Sequence, residues 1–276
     1  MTGAQQLASF VRRYPRLTVL TGAGISTPSG IPDYRDRDGQ WKGATPIDYR
    51  DFVSKPAMRQ RYWSRSIVGW PIMAASAPNV CHNAISGLQA AGFVERIVTQ
   101  NVDTLHQRAG SSDVIDLHGR LDSVSCLDCD WQAPRADWQQ RLAELNPDVA
   151  ATAVSAQTRP DGDAVIDGID LSQFVVPPCP RCHGVVKPDV VFFGENVPRE
   201  RVSDAMAALA ASDALLVLGS SLVLFSGFRF ARAAHQRGQA IALVNLGINR
   251  ADELATLKLD ARCEDVLEPL PTLLSA

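Results

Sequence analysis

This 276-residue chain lacks an excess of either charge, a long apolar run, and the last glycine of a familiar phosphate loop. Lysine and arginine number 27 against 30 aspartate and glutamate, a net charge of −3. So even a balance gives no electrostatic footprint for nucleic acid or for an anionic membrane. No apolar stretch approaches the ~20 residues that cross a bilayer. No acidic residue precedes Asp33, while Arg12, Arg13 and Arg16 do, a faint likeness to a transit peptide. A first strand already begins near Leu17, however, so residues 3–14 read as a first helix and the protein as soluble and intracellular. Internal repeats and low-complexity tracts are also missing.

With 46% hydrophobic residues, the chain suits one large globular unit or a large domain with a smaller partner. Apolar runs of strand type recur at 17–21, 96–100, 114–118, 190–194, 214–220 and 240–245. Amphipathic helical patterns lie at 79–91, 199–211 and 228–237. Strands without polar alternation, separated by helices, predict an α/β fold: a Rossmann-like parallel sheet with helices on both faces. Ligands of such sheets bind beyond the carboxyl ends of the strands. Two segments interrupt the pattern, a helical insertion at 46–79 and a cysteine-bearing stretch at 119–186. Together they predict a small domain, leaving 1–45, 80–118 and 187–276 as the discontinuous large one, with Pro188 marking the re-entry into its sheet.

The missing glycine sits in "VLTGAGISTPSGIPDYR", residues 19–35, where Thr27 stands at the third glycine of G-x-G-x-x-G. Gly22 and Gly24 let backbone amides approach a phosphate, and a helix start beyond them would add its positive dipole end. The bland alternative is a tight turn that needs glycine for steric reasons alone. Asp33 and Arg35, on a proline-stiffened loop, favour a ligand. A dehydrogenase would carry an acid at the end of its second strand, ~20 residues on. That acid is missing, which argues against hydride transfer.

Further candidates follow other strands. In "TQNVDTLHQRAG" (99–110), the amides of Gln100 and Asn101 and the carboxylate of Asp103 suit a ribose or a carboxamide. The alternative for Asn101 and Asp103 is helix capping, and His106 reads as a packed helix residue. His118, before Gly119, ends a strand on the same edge and reads as a general base. "GSS" at 219–221 and "NLG" at 245–247 suit phosphates or adenosine, and on one sheet edge these loops suggest a dinucleotide site.

Of six cysteines, four form two C-x-x-C pairs, Cys126/Cys129 and Cys179/Cys182, whereas Cys81 and Cys263 stand alone. Four thiolates make the closed tetrahedral set of a structural zinc, with no open position to activate water. A zinc-ribbon nucleic-acid module is the alternative, but the flanks lack basic density. The pairs stand roughly 50 residues apart, against ~15–20 in common zinc ribbons. The long 145–178 loop between them reads as functional.

"GAGIS", "GIPDYR", "TQNVDTLHQRAG", "HG", the paired C-x-x-C, "KPDVVFFGE", "GSS" and "NLG" resemble the sirtuin (Sir2) family in order and spacing. "RYWSRSIVGWP", the long inter-cysteine loop and "GSSLVLFSGFRF" are similar to its class II branch, the lineage of the fourth mammalian sirtuin. The resemblance implies NAD-dependent removal of acyl groups from lysine on protein substrates. The amide oxygen attacks the ribose carbon as nicotinamide leaves, His118 takes a ribose hydroxyl proton, and water completes release of O-acyl-ADP-ribose. It also implies that Gly22, Ala23, Gly24, Ser26, Ile31, Asp33, Tyr34 and Arg35 contact NAD. Gln100, Asn101 and Asp103 would hold its ribose and nicotinamide side, and Asn101 would serve catalysis with His118. Gly219, Ser220, Ser221, Asn245, Leu246, Gly247 and the backbone at Cys263 would line the adenosine side.

Two features bear on substrate. Tyr62 and Arg65 form Y-x-x-R, similar to the pair that reads acidic acyl chains in class II sirtuins. The segment Leu222–Gly227 lacks the proline of the V-x-P found in many sirtuins. Mono-ADP-ribosylation of protein would use the same NAD site, and an NAD-sensing scaffold is a non-enzymatic alternative. Composition suggests a bacterial cytoplasm, or a mitochondrial matrix for a eukaryotic mature form.

Overall fold

The computed structural model describes residues 1–42, 46–151 and 173–275, apart from the side chain of residue 151. Most of the 145–178 loop therefore lies outside the described residues.

Six strands form a parallel sheet: β1 (Leu17–Thr21), β2 (Val94–Thr99), β3 (Val114–Asp116), β7 (Ala214–Leu218), β8 (Ala240–Val244) and β9 (Leu257–Leu259). Their order is β3-β2-β1-β7-β8-β9, so the chain starts at the centre, works to one edge, then crosses to the other. β1, β7 and β8 are buried along their whole length, which explains why their sequences carry no polar alternation. Leu17, Val19, Leu216 and Val244 face a core closed by α1 (Gly3–Arg13), α4 (Val80–Ala90), α10 (Cys263–Leu267) and α11 (Leu270–Ser275). Leu20, Leu215, Val217 and Leu243 face a second core beneath α8 (Arg199–Ala211) and α9 (Phe225–Gln236). The sheet is thus covered on both faces, the Rossmann-like arrangement expected. β9 has only three residues and leaves no recognisable run in the sequence.

A smaller antiparallel sheet runs β5-β4-β6, from β4 (Gly119–Cys126), β5 (Gln132–Pro134) and β6 (Val186–Val190). It packs with α2 (Tyr49–Ser54), α3 (Pro56–Ala75), α6 (Arg135–Leu145) and α7 (Pro147–Ala151) around Phe52, Trp63, Trp138 and Leu142. Arg135 is fully buried there, its guanidinium lying 5.3 Å from the Trp63 ring and 5.0 Å from Trp70 and donating to Ser66.

Two expectations change here. Residues 190–194 are not a strand of the parallel sheet. The strand is β6, it pairs antiparallel with β4, and Pro188 lies inside it. Lys187 donates to the Val190 carbonyl and, at 3.2 Å, to Glu195, which in turn accepts from the Phe192 amide. That staple turns 191–195 into a loop instead. Nor does an α-helix follow the glycine loop: two 3-10 turns, Ala23–Ile25 and Thr27–Ser29, take its place. No long helix dipole acts at this point.

Candidate active site

The loops after β1 and β7 interlock through their glycines. A Cβ on Gly24 would lie 2.9 Å from Gly219 Cα, and one on Gly22 would lie 2.7 Å from Ser220 Cβ. Gly219 has φ +60°, and its own Cβ would meet Ile25 N at 2.5 Å. The Gly24 amide donates to the Gly219 carbonyl at 2.9 Å. These glycines therefore serve close backbone packing, and that packing opens a cavity between the two loops.

The cavity has a volume of about 430 Å³. Gly22, Ala23 and Gly24 line one wall, Ser220, Ser221, Asn245, Leu246 and Cys263 another, and Asp33, Tyr34 and Arg35 a third. Gly219 lies at its base. Gly247 does not line it; at φ +80° it packs on Arg37, whose carbonyl accepts from the Ile248 amide. Burial pushes the Cys263 thiol well above its ordinary range, so it meets the cavity as a neutral group.

A second cavity of about 320 Å³ opens towards the small sheet. Ile31, Tyr62, Val102 and Phe192 give it apolar walls, and Ser26 and Asp103 lie on its polar side. Both cavities share Ala23, Tyr34, Gln100, Asn101, His118, Phe193 and Leu224. Arg65 lines neither, while Tyr62, on the same helix, lines the second.

His118 occupies the corner between β3 and β4. Gly119 must follow it: with φ +81° and a would-be Cβ 2.1 Å from the Asp189 carbonyl oxygen, no side chain fits. The ring's Nδ1 lies 3.0 Å from the Gln100 carbonyl oxygen and its Nε2 2.9 Å from Ser226 Oγ. A carbonyl only accepts, so Nδ1 carries the proton. Burial lowers the His118 pKa to about 4, Arg201 and Arg229 push the same way, and the Gln100 bond opposes them. The imidazole is neutral at pH 7.

Asn101 donates through Nδ2 to the Gly22 carbonyl and to Ser26 Oγ, both at 3.1 Å. Ser26 donates to Asp103 at 2.7 Å, and the other Asp103 oxygen caps the Leu105 amide at 3.0 Å. Asp103 thus caps a turn and lines the cavity at once. Gln100 donates to the Thr21 carbonyl and, at 2.8 Å, to Ser220 Oγ, tying β2 to the end of β7. His106 is buried, bonded to Thr21 Oγ1 at 2.9 Å, and held neutral with a pKa lowered to about 3.

Trp41, Lys42, Phe193 and Arg229 also line the cavities, although the sequence did not single them out. Tyr34, Trp41 and Phe193 form a mutual edge-on cluster, and the Arg35 guanidinium stacks 4.1 Å from the Trp41 ring. Lys42 pairs with Asp33. Ser226 and Arg229, on α9, reach the second cavity from an element far away in sequence. Phe193 sits within "KPDVVFFGE" and Ser226 within "GSSLVLFSGFRF", so each lies in a motif, but neither motif shows that the residue faces a cavity.

The four paired cysteines converge at the far end of the small sheet, with all their sulfurs within 4.8 Å of one another. Cys126–Cys182 and Cys129–Cys179 sulfur separations are 3.5 and 3.8 Å. A disulfide spans ~2.05 Å, whereas the edge of a tetrahedron with Zn–S bonds of ~2.3 Å is about 3.8 Å. The donor set fits a closed structural zinc. The Asp128 amide, 3.3 Å from Cys126 Sγ, would support its thiolate.

A sequence profile described as the Sir2 family matches residues 22–226. An NAD-dependent protein deacetylase of Bordetella bronchiseptica is 55% identical over 267 residues, which is 97% of either chain. Another, of Xanthomonas axonopodis pv. citri, is 54% identical over 95% of this chain and 88% of its own length. A solved complex of Sir2 with a p53 peptide and NAD+ shares 30% identity and a TM-score of 0.77, covering 98% of this chain and 97% of its own. Sir2 bound to an acetylated peptide gives a TM-score of 0.78 at 28% identity, with the same coverage. Two cavities meeting at a neutral histidine, a four-cysteine module and these similarities lead to one conclusion: the chain belongs to the Sir2 family.

Proposed function

We propose that the protein is an NAD-dependent protein-lysine deacylase that releases nicotinamide and O-acyl-ADP-ribose. The observation that carries the reading is the junction of two cavities at His118 and Asn101, the larger bordered by the Gly22–Gly24 loop, Ser220, Ser221 and Asn245 and the smaller by Ile31, Tyr62, Val102 and Phe192. The curated relatives named NAD-dependent protein deacetylases, and the Sir2 complexes with NAD+ and acetylated peptide, support it.

NAD, as cosubstrate, supplies a ribose carbon that carries a cationic leaving group. The larger cavity would hold it, with the Gly22–Gly24 loop along the phosphates and Ser220, Ser221, Asn245 and Leu246 on the adenosine side. Asn101, pinned by two donated bonds, would fix the ribose at the junction. His118 keeps its proton on Nδ1, so Nε2 has a lone pair ready for a ribose hydroxyl proton. The smaller cavity would take the acyl-lysine, which places a weak nucleophile in line with its target. Zinc, held by Cys126, Cys129, Cys179 and Cys182, would fix the small sheet and take no part in the reaction. A reducing cytoplasm suits such free thiols, and the relatives named above are bacterial. Among the described residues, no helix is long and apolar enough to cross a membrane.

For the acyl group, Tyr62 borders the cavity that would receive it, and Arg65 follows one helical turn later on α3. The reading is that this pair favours acidic acyl chains such as succinyl, glutaryl or hydroxymethylglutaryl. The test is mass spectrometry of products after incubation with NAD and lysine peptides carrying acetyl, succinyl, glutaryl, hydroxymethylglutaryl or lipoyl groups. O-acyl-ADP-ribose from any of them supports the deacylase and names the acyl class. Nicotinamide with ADP-ribose attached to protein would replace it by a transferase, and NAD binding without nicotinamide release by a scaffold. An Arg65→Met variant with an unchanged ratio of acidic to neutral rates would remove Arg65 from acyl selection.

A further inference from the structure

The stretch Leu222–Gly227, without the V-x-P proline, places a hydroxyl beside the reactive nitrogen of His118. Nδ1 of that ring meets the Gln100 backbone carbonyl, which cannot donate, so the ring proton is on Nδ1 and Nε2 is an acceptor. The 2.9 Å contact at Nε2 therefore has one possible sense: the Ser226 hydroxyl donates. We propose that Ser226 is a positioning residue for His118, its hydroxyl holding the Nε2 lone pair in the cosubstrate-free enzyme until a ribose hydroxyl takes its place. This rests on the deacylase reading of His118 as the base.

The surroundings make the bond a built feature. Ser226 lies in the first turn of α9, and the next residue, Gly227, presses on Gln100: a Cβ there would sit 2.6 Å from Gln100 Oε1. Gln100 is also the residue whose carbonyl holds Nδ1. The ring is thus clamped between the end of β2 and the start of α9, two elements that meet only in the folded chain. Among the described residues, Arg229 from α9 and Arg201 from α8 are the charges acting on the imidazole, and both disfavour its protonation. Its neighbour on the β2 side, Gln100, is uncharged.

The arrangement has a directional consequence. A hydrogen bond donated to neutral Nε2 stabilises the neutral ring and lowers its pKa. Without the hydroxyl, the His118 pKa in the free enzyme rises, by about half to one pH unit for a bond of ordinary strength. Once the ribose occupies Nε2, Ser226 no longer donates, so the complex is unaffected. Because kcat/KM reports the free enzyme and kcat the complex, only the acid limb of kcat/KM should move.

The first test is nitrogen NMR of the histidine rings in the zinc-loaded, cosubstrate-free protein at neutral pH. Expected is a His118 ring protonated at Nδ1, with Nε2 shifted upfield by an accepted hydrogen bond. In Ser226→Ala that resonance should move downfield, and in Ser226→Thr, which keeps the hydroxyl, it should return. A ring protonated at Nε2, an unmoved signal in the alanine variant, or a threonine variant matching alanine would overturn the proposal. The second test is the pH profile with the best peptide of the acyl panel. An acid limb of kcat/KM displaced to higher pH in Ser226→Ala, with the kcat limb fixed, is expected; a loss of rate with no displacement would make Ser226 merely structural. If the NMR results are as expected but no peptide is turned over, the failure belongs to the deacylase reading and not to the Ser226 bond.

Discussion

The imidazole of His118 is held by a backbone carbonyl on one nitrogen and a serine hydroxyl on the other, with two arginines near enough to oppose its charging. This environment decides how activity should depend on pH. A base must be unprotonated, and with a pKa lowered to about 4 the ring remains so through the neutral range. We therefore expect kcat/KM to hold between pH 7 and roughly 5 and to fall only as pH approaches 4, whereas an ordinary histidine would lose activity near 6.5. Initial rates across that range check it. Replacing the base, as His118→Ala, should lower kcat by roughly 10²–10⁴-fold. A variant of unchanged rate would remove His118 from the reaction.

At the scale of elements, the site depends on how loops dock. Gly24→Ala would drive a methyl to 2.9 Å from Gly219 Cα, backbone against backbone, with no side chain able to yield. The expected cost is about 1–3 kcal/mol in urea unfolding, together with weaker NAD binding by calorimetry. The small sheet depends on its metal in a different way. Cys179→Ser, or a strong chelator, should release zinc and loosen β4–β6, seen as a changed emission of Trp131 and Trp138, which pack on each other near the cysteine turns. Because β4 begins directly after His118, turnover should fall as well. Replacing zinc with cobalt, which also accepts four thiolates, should leave turnover unchanged if the metal has only a structural role.

For the whole molecule, three histidines held neutral, His82 and His106 buried and His118 partly buried, link stability to acid. His82 and His118 have pKa values lowered to about 4, and His106 to about 3, in each case chiefly by burial. In the unfolded chain each titrates near 6.5. Below that value the unfolded state binds more protons than the folded one, so stability is full above pH 6.5 and is lost as pH falls towards 4. Each histidine contributes a slope on the order of 1 kcal/mol per pH unit within that window. Urea midpoints measured from pH 7.5 to 4.5 should decline, and His106→Gln should flatten the decline. A midpoint independent of pH would show that these rings are not held neutral.

Much of this fold is visible in the sequence because its signals are local. "LTVLT", "ALLVLGS" and "AIALVN" lack alternation because both faces of β1, β7 and β8 are covered, and the helices between them repeat at the period of one buried face. The metal set is equally legible, since each C-x-x-C places two ligands on one turn. "VVFFG" misleads for the same reason: an apolar run looks alike whether it extends a sheet or, stapled by Lys187 and Glu195, roofs a cavity. What the chain could not declare are contacts between distant positions. Ser226 reaches His118 across 108 residues, Arg135 is buried against Trp63 and Trp70, and the glycines of two loops interlock because β1 and β7 are neighbours. The α/β class and the paired thiols follow from the sequence alone, because periodicity and spacing are written into neighbouring residues. Only the packed structure settles the tautomer of His118, the division of the cleft into two cavities and the side chains that line them, because each depends on distances that exist only once separate elements have packed.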